Sequence, residues 1–452
     1  MITQVKWNSH KVLGNLLLDF RKPSGEPYKT VIFAGENGCG KTTILNTLST
    51  FLNVGSFEPF DFVEYLADGK LFRATPRDDD SGNGLDLNSI SVGYHYRLSM
   101  DNGRVDFIDR EKRNSDKYSI YHYGCVYSKA RSGFKTSAIT TTKTSQLNSS
   151  LYDNDSSDDF TVIKQLLVDI ESQDKTDWMN YSFEHPGEDV RNYQNKMRLF
   201  RFRKAFNDFF ETIKFDRIVT EKDGLKIMFS KNNKSVEIDS LSTGEQQVVF
   251  RGTQLLRNSE SIKEGIVFID EPELSMHPKW QNKILDYYRN LFKENGNQTV
   301  QMFFSTHSEA VIKSAVRDDD VLVIVLKNEN GTINSKRIDA PITLPSITSC
   351  EINYLAFDVL SIDYHIALFG YLQSTKALGS IKDADDYIKI QPEFNASMHT
   401  KVSTYTHPNG HVTRYDTLPV YIRNAIDHPD SGNVFTDDEL RESIKLLIQL
   451  CR

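Results

Sequence analysis

The chain has 452 residues, 38% hydrophobic and 26% charged, which is enough material for two or three domains with substantial cores. Acidic residues outnumber basic ones, 62 against 54, for a formal charge of -8; this excludes a surface built throughout for nucleic acid and leaves room only for a local basic stripe. Cys39, Cys125, Cys350 and Cys451 are scattered without paired spacing, which excludes a zinc knuckle or a disulfide framework and suits reduced thiols.

In chain order, short strands around VLGNLLLDF lead into the apolar strand TVIFAG, a Gly-rich turn and a helix, KTTILNTLSTFL. From about 55 to 150, strand-like pieces (ISVGYHYRLSM, VDFI, YSIYHYGCVY) alternate with loops. RDDDSGNG, YDNDSSDD and TSAITTTKTSQLNSS read as solvated segments. In MRLFRFRKAFNDFFETIKF, Leu199, Phe202, Phe206, Phe209 and Ile213 recur at three- and four-residue intervals. That spacing predicts one apolar helix face, with Arg198, Arg201 and Lys204 on the solvated side.

Strands at DRIVTE, LKIMFS and SVEID precede LSTGEQQVVF and a helix. The strand GIVFID, a helix HPKWQNKILDYYRNLF, the strand VQMFFSTHS, a short helix and the hairpin VLVIVLKNENGTINSKRID follow. Strands alternating with helices predict an α/β fold with a mostly parallel, doubly wound sheet and a β-rich part. The expected division is a head over 1–340, carrying an insertion at about 55–215, and a helical domain over 341–452. No apolar run is long enough to cross a bilayer, and MITQVKWNSHK lacks the layout of a leader, so a cytoplasmic protein without a membrane partner is expected.

GENGCGKT, Gly35 to Thr42, satisfies G-x-x-x-x-G-K-[ST] between a strand and a helix. Gly35, Gly38 and Gly40 let the backbone turn its N–H groups toward anionic oxygens, and the helix amino terminus adds positive potential. Lys41 reaches the β- and γ-phosphates, Thr42 ligates Mg²⁺, and Asn37 and Thr43 complete the cradle; ATP is the expected cofactor. GIVFIDE ends a buried strand in Asp270 and Glu271. Asp270 is placed to hold magnesium, and Glu271 to align or deprotonate the attacking water.

LSTGEQQ, Leu241 to Gln247, resembles the signature sequence of the ABC ATPase superfamily, in the soluble branch with RecF-like and OLD-like proteins. The resemblance implies an ABC-type head. It also implies that Ser242, Gly244 and Glu245 meet nucleotide bound to another copy, so that a homodimer or higher homo-oligomer forms through the heads. His307, in FFSTHS, resembles that family's γ-phosphate-sensing histidine, and EPELSMHPKW resembles the Glu-Pro-Glu-Leu…His-Pro segment of the OLD-like branch. Two features depart from the pattern. A long insertion separates P-loop from signature, and the magnesium-contacting glutamine is missing at the end of YGCVYS, where Ser128, Lys129 and Arg131 stand instead.

Near the carboxyl end, Pro429 predicts that the helix through YIRNAID stops near His428. Thr436 and Glu439 form a T-x-x-E box opening a last helix. Arg423, Asn424 and His428 are then either an ordinary helix end or an active site. R-N-x-x-x-H resembles the motif of HEPN ribonucleases, a family in which two such motifs meet across a dimer and cut RNA without a metal. The chemistry suits those residue types, since histidine moves protons and arginine steadies a phosphorane.

Together these resemblances lead to one expectation, an ATP-hydrolysing phage-defence protein whose nucleotide state controls its own C-terminal ribonuclease acting on RNA (tRNA among the candidates). The alternative is a sensor or scaffold subunit, resembling those of Septu or PARIS systems, that regulates a separate HNH or Toprim nuclease. A RecF-like role on DNA is the weakest reading, because the chain has no coiled-coil arm and no basic groove.

Overall fold

The structure is a computed structural model and describes residues 1–53, 55–76, 84–109, 112–130, 152–154, 160–222, 224–257, 264–294, 296–406 and 410–452. Arg131, TSAITTTKTSQLNSS, nearly all of RDDDSGNG and the second half of YDNDSSDD lie outside those residues. The chain divides into two compact units, Met1–Arg337 and Ile338–Arg452.

The first unit is organised by a seven-stranded sheet. Its order is Thr332–Ile338, Val321–Glu329, Thr30–Ala34, Gln301–Thr306, Ile266–Asp270, Cys125–Ser128, Tyr152–Asn154. The pairings from Val321–Glu329 to Tyr152–Asn154 are parallel. TVIFA and IVFID are buried along their whole length, as continuous apolar runs must be when both faces of a parallel sheet are covered. Phe33, Phe268 and Phe303 stack across three neighbouring strands. This is the α/β class expected, with a mostly parallel sheet.

On one face, the helix Lys41–Leu52 buries Ile44, Leu45, Leu48, Phe51 and Leu52. These side chains share a core with Ile2, Val5, Trp7, Phe60 and Val63 of a second, six-stranded sheet, whose recorded pairings are antiparallel. This sheet is the β-rich part. Elsewhere in the unit are the helices Phe160–Glu184, Arg198–Phe209 and Thr243–Arg257, with a three-stranded sheet over 213–237. Phe206 packs on Phe229, and Phe209 on Tyr287.

Two local expectations need correction. The helix at 198 stops at Phe209, Phe210 is extended, and Ile213 opens a strand. Arg198 and Arg201 are buried rather than solvated, because the carboxylate of Asp174 accepts the N–H groups of Arg198 and Leu199 and draws that helix start inward. HPKWQNKILDYYRNLF forms two helices, Pro278–Gln281 and Ile284–Leu291, not one.

The second unit packs Tyr364, Leu368 and Leu372 of the helix Ile362–Thr375 against Ile444, Leu447 and Leu450 of the helix Asp437–Cys451, with Val420 and Ile422 beside them. Beside these helices, Thr400–Thr406 and Val412–Thr417 pair as an antiparallel hairpin that the reading of a helical domain did not include. The strands are rich in Thr, Val and Tyr and flank an N-G dipeptide, a hairpin signal outweighed by the helical segments around it. Among the described residues, no helix is long and apolar enough to cross a membrane.

Candidate functional site

Strand, turn and helix bring the P-loop into one place. Gly38 and Gly40 take φ of 81° and 89°, the left-handed region that favours glycine. At Gly35 the constraint is space, since a Cβ would lie 2.3 Å from the Leu326 carbonyl oxygen. Glu36, Asn37, Gly38 and Thr42 face solvent, and Thr43 is half-buried in the first helical turn. The cradle therefore opens outward.

Lys41 is buried beneath it. Its Nζ donates to the carbonyls of Gly35 and Glu36 at 2.8 and 2.9 Å, and burial lowers its pKa. Nζ also lies 3.3 Å from Nδ1 of His307, and Nε2 of the same ring lies 3.4 Å from Glu271 Oε1. Facing an ammonium, Nδ1 acts as the acceptor, so the proton sits on Nε2 and points at the carboxylate. Burial, then the charge of Lys41, lowers the His307 pKa and keeps the ring neutral.

Asp270 and Glu271 divide their work at the end of the strand. Both oxygens of Asp270 lie 3.1 Å from the Thr42 hydroxyl, and the carboxylate also accepts from Ser305 and, at 3.5 Å, from Tyr127. Carboxylate and hydroxyl oxygens are the hard donors that magnesium takes, so Thr42 and Asp270 fit that ion. Glu271 has φ of 45°, its N–H donates to Ser305 O at 3.1 Å, and its side chain turns toward His307. Glu273 holds the next loop, accepting from the Thr306 hydroxyl and the His307 N–H at 2.7 and 2.9 Å.

The signature turn sits elsewhere on the same unit. Ser242 and Thr243 are exposed at the start of the helix Thr243–Arg257. Glu245 is buried and engaged, receiving Lys231 Nζ at 2.9 Å and the Ser242 N–H at 2.8 Å; its carboxylate braces the turn. Gly244 is pressed against the loop after Glu271, where a Cβ would lie 2.6 Å from Ser275 O. The structure thus gathers Lys41, Thr42, Asp270, Glu271 and His307, while the signature turn of Ser242, Gly244 and Glu245 is held by its own hydrogen bonds and meets Lys231, Ser275 and Trp280.

Several residues at this site went unread in the sequence: Ser305, Tyr127, Glu273 and Arg251. At the glutamine-less position, Ser128 is buried, and the Lys129 carbonyl accepts from Arg251 at 3.0 Å. Ser305 lies on the strand Gln301–Thr306, two residues before His307, which follows the strand's end; closeness to that histidine was the available signal. Nothing in VVFR marked Arg251.

In the second unit, the helix Leu418–Asp427 ends at His428. Arg423 Nη1 donates to Asn424 Oδ1 at 3.1 Å, and its other arm pairs with Asp427 at 2.6 Å. The His428 N–H returns to the Asn424 carbonyl at 2.9 Å, and the ring lies 5.0 Å from that of Tyr405.

Known proteins resemble parts of the chain. The chain is 25% identical over 128 residues to Septu protein PtuA of Bacillus mycoides (strain KBAB4), covering 26% of this chain and 17% of that protein. It is 29% identical over 123 residues to the Retron Ec83 probable ATPase of Escherichia coli, covering 25% of this chain and 21% of that one. The matched stretches are thus a small part of either relative's length. A crystal structure of an SmcHead bound to the C-winged helix domain of ScpA aligns over 75% of this chain and 97% of its own, with a TM-score of 0.39 and 14% identity. Residues 31–313, which contain the P-loop, the acidic strand end and His307, match the family described as "AAA domain, putative AbiEii toxin, Type IV TA system", and the chain belongs to that family of AAA-domain ATPases.

Proposed function

We propose that the chain binds and hydrolyses Mg²⁺·ATP between two heads, and that this switch serves phage defence by governing a nuclease. The observation that carries it is the bridge from Lys41 through His307 to Glu271, beside the Thr42–Asp270 pair. Lys41 exchanges the Gly35 and Glu36 carbonyls for phosphate oxygens. Thr42 and Asp270 would hold magnesium, which would supply neutralising charge to the triphosphate. Glu271 orients the attacking water and accepts its proton, and the neutral His307 donates toward that carboxylate or toward the γ-phosphate. The exposed Ser242–Thr243 turn, an amide-rich helix start, suits the nucleotide of a second copy.

For the nuclease, the charge of the second unit favours a separate subunit, as the similarity to Septu protein PtuA suggests. Residues 338–452 carry nine Lys and Arg against fifteen Asp and Glu, and Arg423 is neutralised by Asp427. Such a surface attracts RNA poorly. The second reading, a HEPN-like ribonuclease in the chain itself, is supported by Arg423, Asn424 and His428 meeting at one helix end. Incubating the purified chain, alone, with total cellular RNA separates the two. A separate nuclease leaves the RNA intact; cleavage that disappears in His428→Ala and Arg423→Ala overturns that choice.

A further inference from the structure

We propose that Arg251 is a positioning residue that ties the signature helix to the catalytic carboxylate, an inference that rests on the ATPase reading above. Arg251 is 1% exposed, in the helix Thr243–Arg257. Its Nη1 donates to the carbonyls of Asp270 and Glu271 at 2.9 and 3.0 Å, and its Nη2 to that of Lys129 at 3.0 Å. One guanidinium therefore joins the signature helix, the end of the strand Ile266–Asp270 and the end of the strand Cys125–Ser128. The last of these is where the family's glutamine is missing.

The acceptors show what the charge is for. Buried arginines ordinarily face carboxylates, because an uncompensated cation in a core is costly. These three acceptors are backbone carbonyls at the carboxyl ends of neighbouring parallel strands, beside the nucleotide cradle. The planar fork sets their direction as well as their distance, which a lysine or an apolar side chain does not. One of them belongs to Glu271, whose φ of 45° is a left-handed conformation that a non-glycine residue keeps only where its surroundings hold it. Its N–H is fixed by Ser305 and its carbonyl by Arg251. With both sides held, the carboxylate stays turned toward His307. Without Arg251 the peptide is free to relax and swing it away.

The helix is built to pass movement along. At Gly244 a Cβ would meet Ser275 O at 2.6 Å, and at Gly252 it would meet the Tyr287 hydroxyl at 1.9 Å. Tyr287 itself donates to the Val248 carbonyl at 2.8 Å. Such close packing at its start and beside Arg251 leaves little slack. From Thr243 to Arg251 the helix rises about 12 Å, so a shift of the exposed turn against a partner's nucleotide arrives at Arg251 and then at Glu271. In this way the state of one site adjusts the carboxylate of the other.

The test compares Arg251→Lys and Arg251→Met with wild type, in the full chain, for ATP hydrolysis, ATP binding and thermal melting. In both variants kcat falls about tenfold or more while KM for ATP stays within about threefold, the pattern of a lost transition-state interaction. Added to Glu271→Gln, Arg251→Lys lowers turnover by less than about threefold further, because the two residues act as a unit. If Arg251→Met does not fold, Arg251→Lys decides. A folded Arg251→Lys with wild-type kcat overturns the proposal, as does a loss that merely follows the folded fraction. Should wild type and Glu271→Gln hydrolyse ATP equally, the ATPase reading falls and takes this inference with it. Normal wild-type turnover with an unaffected Arg251→Lys removes the inference alone.

Discussion

His307 stands between two opposite charges, Lys41 Nζ on one ring nitrogen and Glu271 on the other. That placement ties the lysine proposed to recognise phosphate to the carboxylate proposed to act on water. Glu271→Gln keeps the shape and removes the proton acceptor. It is expected to lower kcat about a hundredfold or more while ATP still binds, a loss in the range of general-base catalysis, checked by steady-state hydrolysis against nucleotide binding. Equal turnover would remove Glu271 from its role. Lys41, Thr42, Asp270 and Glu271 were legible because each lies inside a short contiguous motif whose chemistry constrains spacing. Ser305, Tyr127 and Arg251 were not, because they reach Asp270 and Glu271 only through the sheet order and the docking of a helix.

At the scale of elements, periodicity read the strands and most helices. It failed where side-chain demands crossed between elements, as with Asp174 burying the start of the helix at Arg198. The second unit carries a comparable internal tie. His365, on the helix Ile362–Thr375, is fully buried and its Nε2 lies 2.9 Å from Ser443 Oγ on the helix Asp437–Cys451. Burial pushes its pKa down to about 3. An unfolded chain takes up that proton near pH 6.5, whereas the folded unit refuses it until far lower, so the unfolded state binds more protons in between. The stability contribution is therefore complete above about pH 6.5 and is lost progressively as pH falls toward 3, on the order of a few kcal/mol. His365→Gln, neutral throughout, is expected to show a shallower fall in melting temperature from pH 6.5 to 4 than wild type, followed by circular dichroism. Parallel curves would show that His365 does not drive the loss.

The whole molecule has an open cradle and, on the same unit, an exposed Ser242–Thr243 turn. In the proposed function these halves meet only between copies. Glu271→Gln with Mg²⁺·ATP is then expected to double its mass in light scattering, and adding Ser242→Arg, which fills the turn with a bulky side chain, to return it to the monomer. A monomer under all conditions would defeat the paired-head arrangement.

The amino-acid sequence by itself determined the P-loop, the buried acidic strand end and the alternation that makes the sheet parallel. Those depend on neighbours along the chain and on apolar runs that have nowhere to go but a core. Tertiary structure alone decided which distant groups share one carboxylate, that Arg251 spends its charge on three carbonyls, and that a hairpin stands among the C-terminal helices. The reason is that hydrogen-bond partners and burial are set by how elements pack, and packing joins residues that no local spacing relates.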